Sequence, residues 1–322
     1  MMPSSLEALV DSLRAHPNVL EKLHIATAYT PSVEVSQHIP IGDDTAVIPN
    51  GDHYLLFAAE GMMESFINLD PWFAGYCAVM VNLSDIAAMG GRPTAIVDVL
   101  WSHPDSPIIK EIWAGMRAAS TAYNVPIVGG HTTRFPIERT PLLATAVLGR
   151  ANAIISSFTA APGQVLLMAI DLRAAYRGEG TLFWNGSVGA PPEQLQGDLD
   201  LLPLLAEQGL VIAGKDISNG GLPGTLAMLC ATSRVGATVN LDELPIPPGI
   251  DLQRWLLSFP SYGYLLTAPP ENVATVQSIF ETRGLNCAAI GTIDPGNTIH
   301  FTQQQDQLRV PFCQVDFPPS QL

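Results

Sequence analysis

Apolar and polar positions fall into short blocks whose period changes repeatedly between helical and extended spacing. Residues 4–15 carry Leu6, Leu9, Val10 and Leu13 on one helical face, with Ser4 and Glu7 placed as a capping box. Pro17 is expected to end that helix. Extended runs follow at Val33–His38, Asp44–Ile48 and His53–Ala59, and Asn50-Gly51-Asp52 signals a hairpin between the last two. Asp70-Pro71 supplies an N-cap and a first-turn proline to a long apolar helix that runs to Met89 and stops at Gly90-Gly91. Thr94–Trp101 reads as a strand. Ser106-Pro107 opens a helix to Tyr123, Pro126–Val128 is a short strand leading into Gly129-Gly130, and Leu142–Gly149 is another strand.

The turn at Ala160-Ala161-Pro162-Gly163 marks a boundary near 150–162, so two domains are expected at 1–155 and 156–322. The second offers strands at 164–170, 209–215, 235–241, 261–267 and 285–293, with helices at 220–232 and 271–283. Residues 174–198 are rich in Gly, Pro and polar side chains and read as one long loop, where Arg177, Glu179, Trp184 and Asn185 are candidates for substrate specificity. Pro245–Pro248 reads as a stiff connector. Mixed strands and helices with hairpin signals in both halves predict an α+β fold, with sheets covered by helices, in place of a doubly wound parallel sheet.

Composition narrows the classes. Hydrophobic residues make up 47% and charged residues 14% of 322 residues, which supplies ample core and excludes a disordered chain. A net charge of −15 argues against a nucleic-acid partner, but not against ATP that arrives with magnesium. Plain solubility also accounts for such acidity. Met1–Ser5 lacks a basic stretch followed by an apolar run, and no run approaches the roughly 18–20 apolar residues of a membrane helix. No membrane association and a cytoplasmic location are expected. Cys77, Cys230, Cys287 and Cys313 show no CxxC spacing and read as buried free thiols, which fit neither zinc nor a disulfide framework.

Four patches carry candidate chemistry: Gly42-Asp43-Asp44, Asn82-Leu83-Ser84-Asp85, Gly129-Gly130-His131-Thr132 and Asp216-Ile217-Ser218-Asn219-Gly220-Gly221. They share carboxylates and unobstructed backbone N–H groups, the mixture that magnesium and a polyphosphate need. Each also has a plainer reading. Gly42-Asp43-Asp44 suits an exposed turn, although adjacent carboxylates repel unless a cation relieves them. Asn82 and Asp85 share one face of an apolar helix, where metal ligation or a structural hydrogen bond would serve equally. His131 is alone, and a lone histidine is more often packed or on the surface. Asp216, Ser218 and Asn219 are good helix caps, or else they place a phosphate at a helix N-terminus with Lys215 to neutralise charge. There is no GxxxxGK[ST], GxSxG or HExxH motif.

Taken in order, these segments resemble the AIR synthase superfamily over nearly the whole chain. Gly42-Asp43-Asp44-Thr45-Ala46-Val47 is similar to the GDDAAV of its thiamine-monophosphate kinase branch. Asn82–Gly90 is similar to that branch's NLSDIAAMGA, and Asp216–Leu222 to its DISDGL; Val235-Gly236-Ala237 and Leu244-Pro245 also match. The resemblance implies an N-terminal α/β domain that pairs with its copy in a dimeric sheet or barrel, a C-terminal α+β sandwich, and ATP with Mg2+ in a cleft between them. It implies Asp43, Asp44, Asp85 and Asp216 as metal ligands, with Asp43, Asp85 and Asp216 as the catalytic set. Nucleotide-site residues would be Asp44, Asn82, Gly129, Gly130, His131, Thr132, Lys215, Ser218, Asn219 and Gly220. The chain departs from the kinase branch at Glu60, His131 and Asn219, where a carboxylate is lengthened or lost. GGHT is similar to selenophosphate synthetase, whose N-terminal cysteine this chain lacks, so the best fit is the AIR synthase-related branch. The implied activity is ATP- and Mg2+-dependent phosphoryl transfer to, or activation of, a small polar metabolite, by a homodimer. Thiamine-monophosphate kinase and a non-catalytic nucleotide-binding or assembly subunit are the alternatives.

Overall fold

Ser5 accepts a hydrogen bond from Ala8 N and caps α1 (Leu6–Ala15), which buries Leu6, Leu9, Val10 and Leu13 as the periodicity requires. The computed structural model describes residues 5–25, 41–304 and 307–316. The expected cap at Ser4 and the run Val33–His38 lie outside them. The first helix ends at Ala15, just before Pro17 as expected, and Pro17 then opens α2 (Pro17–Ile25), because the missing N–H costs nothing in a first turn. The described residues fall into two compact units, 44–154 with 188–204, and 5–25 and 41–43 with 155–187, 205–304 and 307–316.

The first unit is built on one five-stranded mixed sheet. Its elements in chain order are β1 (Ala46–Asn50), β2 (His53–Gly61), α3 (Glu64–Leu69), α4 (Pro71–Ala88), β3 (Arg92–Ser102), α5 (Pro107–Tyr123), β4 (Ile127–Arg134) and β5 (Leu142–Ala151). The strand order is β1-β2-β5-β3-β4, and only β3 and β4 run parallel. Gly51, at φ +66°, takes the first central position of the β1–β2 hairpin, where any other residue would be strained. Asp70 caps α4 by accepting from Phe73 N at 3.0 Å, and Pro71 is its first residue, as read from sequence. One sheet face, with Ile96, Leu100, Leu143 and Val147, is buried beneath α4. Helix α5 packs on α4 through glycines: a Cβ on Gly75 would lie 2.1 Å from Ile112 O, and one on Gly115 would lie 1.8 Å from Trp72 O. The sheet is open; the described strands close no barrel.

The second unit contains β6 (Val165–Ile170), β7 (Ala175–Tyr176) and β8 (Phe183–Asn185). Segment 188–204 returns to the first unit with α6 (Pro192–Leu199), and α7 (Leu201–Glu207) leads back. The expected loop at 174–198 is therefore corrected. It holds two short strands and nearly all of α6, and β8 pairs with β7 on one side and with β11 (Phe259–Pro260) on the other in a three-stranded sheet. The remaining elements are β9 (Ala213–Asp216), α8 (Gly221–Ser233), β10 (Gly236–Asn240), α9 (Leu252–Leu257), β12 (Gly263–Ala268), α10 (Val273–Glu281), β13 (Asn286–Asp294), β14 (Thr298–Gln303) and β15 (Leu308–Gln314). The main sheet has seven strands in the order β15-β14-β10-β13-β6-β12-β9. Its core joins Leu166, Met168, Leu265, Phe301 and Phe312 to Leu226 and Leu229 of α8 and to the buried face of α1. The fold is a two-domain α+β arrangement with two main mixed sheets, as expected.

Candidate functional site

In the five-stranded unit, Asp44 precedes β1 and Asp85 sits in the last turns of α4. Their carboxylate oxygens come within 4.8 Å of each other, with Asp85 buried and Asp44 half-buried. Two carboxylates this close repel unless a cation or a proton relieves them, and an all-oxygen donor pair suits a hard ion such as Mg2+. Asn82, one turn earlier on α4 and fully buried, is committed to structure. Its Nδ2 donates to Ala78 O at 2.9 Å and to Thr145 Oγ1 on β5 at 2.8 Å.

The Gly129–Thr132 patch lies within β4; the predicted short strand ended before it. Its register divides it between the two sheet faces. Gly130 and Thr132 pair with buried Asp98 and Leu100, on the face beneath α4. Gly129 and His131 pair with Val97 and Val99 on the opposite, exposed face. Gly130 must be glycine for a local reason, since a Cβ there would lie 2.2 Å from Asp98 Oδ1. His131 and Asn82 thus occupy opposite faces.

In the seven-stranded unit, Asp43 Oδ2 accepts from Ser156 Oγ at 2.7 Å and from Ser157 N at 2.8 Å. That oxygen anchors the start of the 155–187 segment, and Asp44 is the member of the pair that meets Asp85. Asp216 closes β9. Burial raises its carboxyl, and the ammonium groups of Lys215 and Lys22 pull it back in part. Lys215 is buried, and Ser218 N donates to Thr225 Oγ1 at 3.3 Å. Gly220 and Gly221, at φ +98° and +61°, form the left-handed bend into α8.

Helix α2 reaches this loop. Asn18 Nδ2 donates to Asn219 Oδ1 at 2.7 Å, and a Cβ on Gly220 would lie 3.0 Å from Asn18 O and 3.2 Å from Lys22 Cγ. Lys22 was missed in the sequence. The available signal was scarcity: the chain has only Lys22, Lys110 and Lys215, and two of the three act on Asp216. The cysteines carry no chemistry here. All four are free, and burial pushes the Cys287 and Cys313 thiols up to about 12, which leaves them protonated. No helix among the described residues is long and apolar enough to cross a membrane.

Residues 42–151 match the AIR synthase related protein N-terminal domain and residues 182–303 match its C-terminal domain. The chain belongs to the AIR synthase-related family. Among its relatives, an uncharacterized protein of Synechocystis sp. is 50% identical over 81% of this chain and 80% of its own length. An uncharacterized protein of Methanocaldococcus jannaschii is 32% identical over 94% and 95%. Thiamine-monophosphate kinase of Synechococcus elongatus is 29% identical over 78% and 83%. Of solved structures, T. maritima PurL complexed with ATP aligns at a TM-score of 0.72 and 22% identity, over 85% of this chain and 46% of that one. The chain thus spans about half the length of that PurL. AaThiL complexed with AMPPCP and TMP aligns at 0.63 and 19% identity, over 81% and 87%. At these identities the two likenesses establish the fold.

Proposed function

We propose that this chain is an ATP- and Mg2+-dependent enzyme that transfers a phosphoryl group to a small polar metabolite, or activates its oxygen for displacement. The carrying observation is the meeting of Asp44 and Asp85 within 4.8 Å at a half-buried position. PurL and AaThiL, which share the fold, were captured with ATP and with AMPPCP. In this reading Asp44 and Asp85 hold the metal. Asp43 positions Asp44 from its anchor on Ser156 and Ser157. Lys215 and Lys22 supply positive charge for the phosphates beside Asp216, and Ser218, Asn219 and Gly220 shape that loop. The bound metal would neutralise charge on the transferring phosphoryl group. Catalysis then consists of positioning and electrostatics, which suits a site with no buried thiolate or serine–histidine pair on its motifs.

We also propose a homodimer. Phe57, Val97, Val99, Trp101, Leu142 and Leu148 stay exposed on one face of the five-stranded sheet, and a second copy offers the same apolar face to cover them. His131 would then lie in that interface.

The test is ADP formation by the purified chain with ATP, Mg2+ and pools of small polar metabolites. Product above an Asp85→Ala background supports the enzyme. Thiamine diphosphate made from thiamine monophosphate would assign the kinase reading. The replacement of carboxylates by His131 and Asn219 favours a second reading, a subunit that binds nucleotide without turnover. Nucleotide binding with no ADP from any pool would select it.

A further inference from the structure

We propose that the five-stranded unit holds a buried alkali-cation site between Asp98 of β3 and Asn82 of α4, on a bed formed by Thr145 of β5. Asp98 is 4% exposed and Asn82 fully buried. Thr145 is the cross-strand partner of Asp98 on the face beneath α4, and it is also the residue to which Asn82 is bonded. Counting hydrogens defines what fits there. Both amide hydrogens of Asn82 are committed, to Ala78 O and to Thr145 Oγ1. The hydroxyl hydrogen of Thr145 is committed to Ala78 O. What remains is acceptors. Asn82 Oδ1 and Asp98 Oδ2 are both buried and have no hydrogen-bond partner. Asp98 Oδ1 lies over Gly130, so Oδ2 is the oxygen turned away from β4.

A buried set of oxygen lone pairs with no donor left to satisfy them suits a hard cation. Charge selects its valence. Asp98 is the only carboxylate of the set, so a monovalent ion leaves the site neutral. A divalent ion would leave a buried positive charge uncompensated. Burial raises the Asp98 carboxyl and no charged side chain counters it, so an ionised Asp98 would take its counter-charge from outside the protein. The site is separate from the Asp44–Asp85 pair, one helical turn further along α4.

Two measurements on the full chain test the proposal. Crystals grown without nucleotide and soaked in thallium(I) should show an anomalous peak liganded by Asp98 Oδ2 and Asn82 Oδ1, lost on back-soaking in potassium. A site with no peak overturns the proposal. In EDTA at constant ionic strength, the wild type should melt higher in potassium or sodium chloride than in tetramethylammonium chloride, and Asp98→Asn should erase that difference. Equal melting of the wild type in all three salts overturns it. So does a carbon-13 carboxyl shift showing Asp98 protonated at neutral pH in potassium, since a proton would then take the cation's place. If Asp98→Asn does not fold, the thallium result on the wild type decides alone.

Discussion

Asn18 on α2 donates its side-chain amide to Asn219 Oδ1 at 2.7 Å, which ties the N-terminal helices to the loop that carries Asp216. A carboxylate oxygen accepts that bond as well as an amide oxygen does. Asn219→Asp is therefore predicted to keep the melting temperature, whereas Asn219→Ala loses about 0.5–1.5 kcal/mol by urea unfolding. An equal loss in both variants would remove Asn18 as the anchor.

Lys22 packs on Gly220 and Gly224 and its charge acts on Asp216. If it serves bound phosphate, Lys22→Met weakens binding of a non-hydrolysable ATP analogue by roughly ten- to a hundredfold, the worth of a charged hydrogen bond. Lys22→Arg should retain part of that affinity. Unchanged affinity in Lys22→Met assigns the lysine to local charge balance alone.

Gly115 brings α5 against the backbone of α4. A methyl there would lie 1.8 Å from Trp72 O, and backbone cannot rotate away as a side chain can. Gly115→Ala is predicted to destabilise the five-stranded unit by about 3 kcal/mol, the upper end for overpacking. Gly129→Ala meets nothing within 4 Å and should be far milder by the same assay.

His300 on β14 contacts Arg309 at 3.2 Å, and burial first, then that guanidinium, lowers its pKa, with Asp294 opposing. A lowered value means the folded state binds the proton less tightly than the unfolded chain. The stabilising contribution is complete above the ordinary histidine pKa of about 6.5 and is lost as pH falls below it. Between pH 7 and 5, the wild type should lose more stability than His300→Gln. Parallel pH profiles would contradict this.

The long helix α4 was legible because Asp70-Pro71 fixes its start, a mostly apolar stretch carries it, and Gly90-Gly91 stops it. The segment 174–198 was not. Its strands are two and three residues long and are held by pairing with a partner at Phe259–Pro260, far along the chain. Strands β14 and β15 were missed because Thr298–Gln303 mixes polar and apolar residues and gains its strand character by lying beside β10. Asp98 was half legible. Alternation along Thr94–Trp101 puts it on the buried face with Ile96 and Leu100, but nothing in the sequence brings Thr145 and Asn82 to it. Sequence also treats Asp43 and Asp44 alike, while the serines at 156 and 157 decide which one is anchored.

The central claim is that Asp85 helps to hold a magnesium ion for a bound triphosphate. Isothermal titration of the wild type and Asp85→Asn with a non-hydrolysable ATP analogue, with Mg2+ and with EDTA, tests it most directly. The prediction is binding by the wild type that requires Mg2+, and loss of that requirement together with most of the affinity in Asp85→Asn. No heat from the wild type with Mg2+ present, or equal affinity in the two proteins, would contradict it.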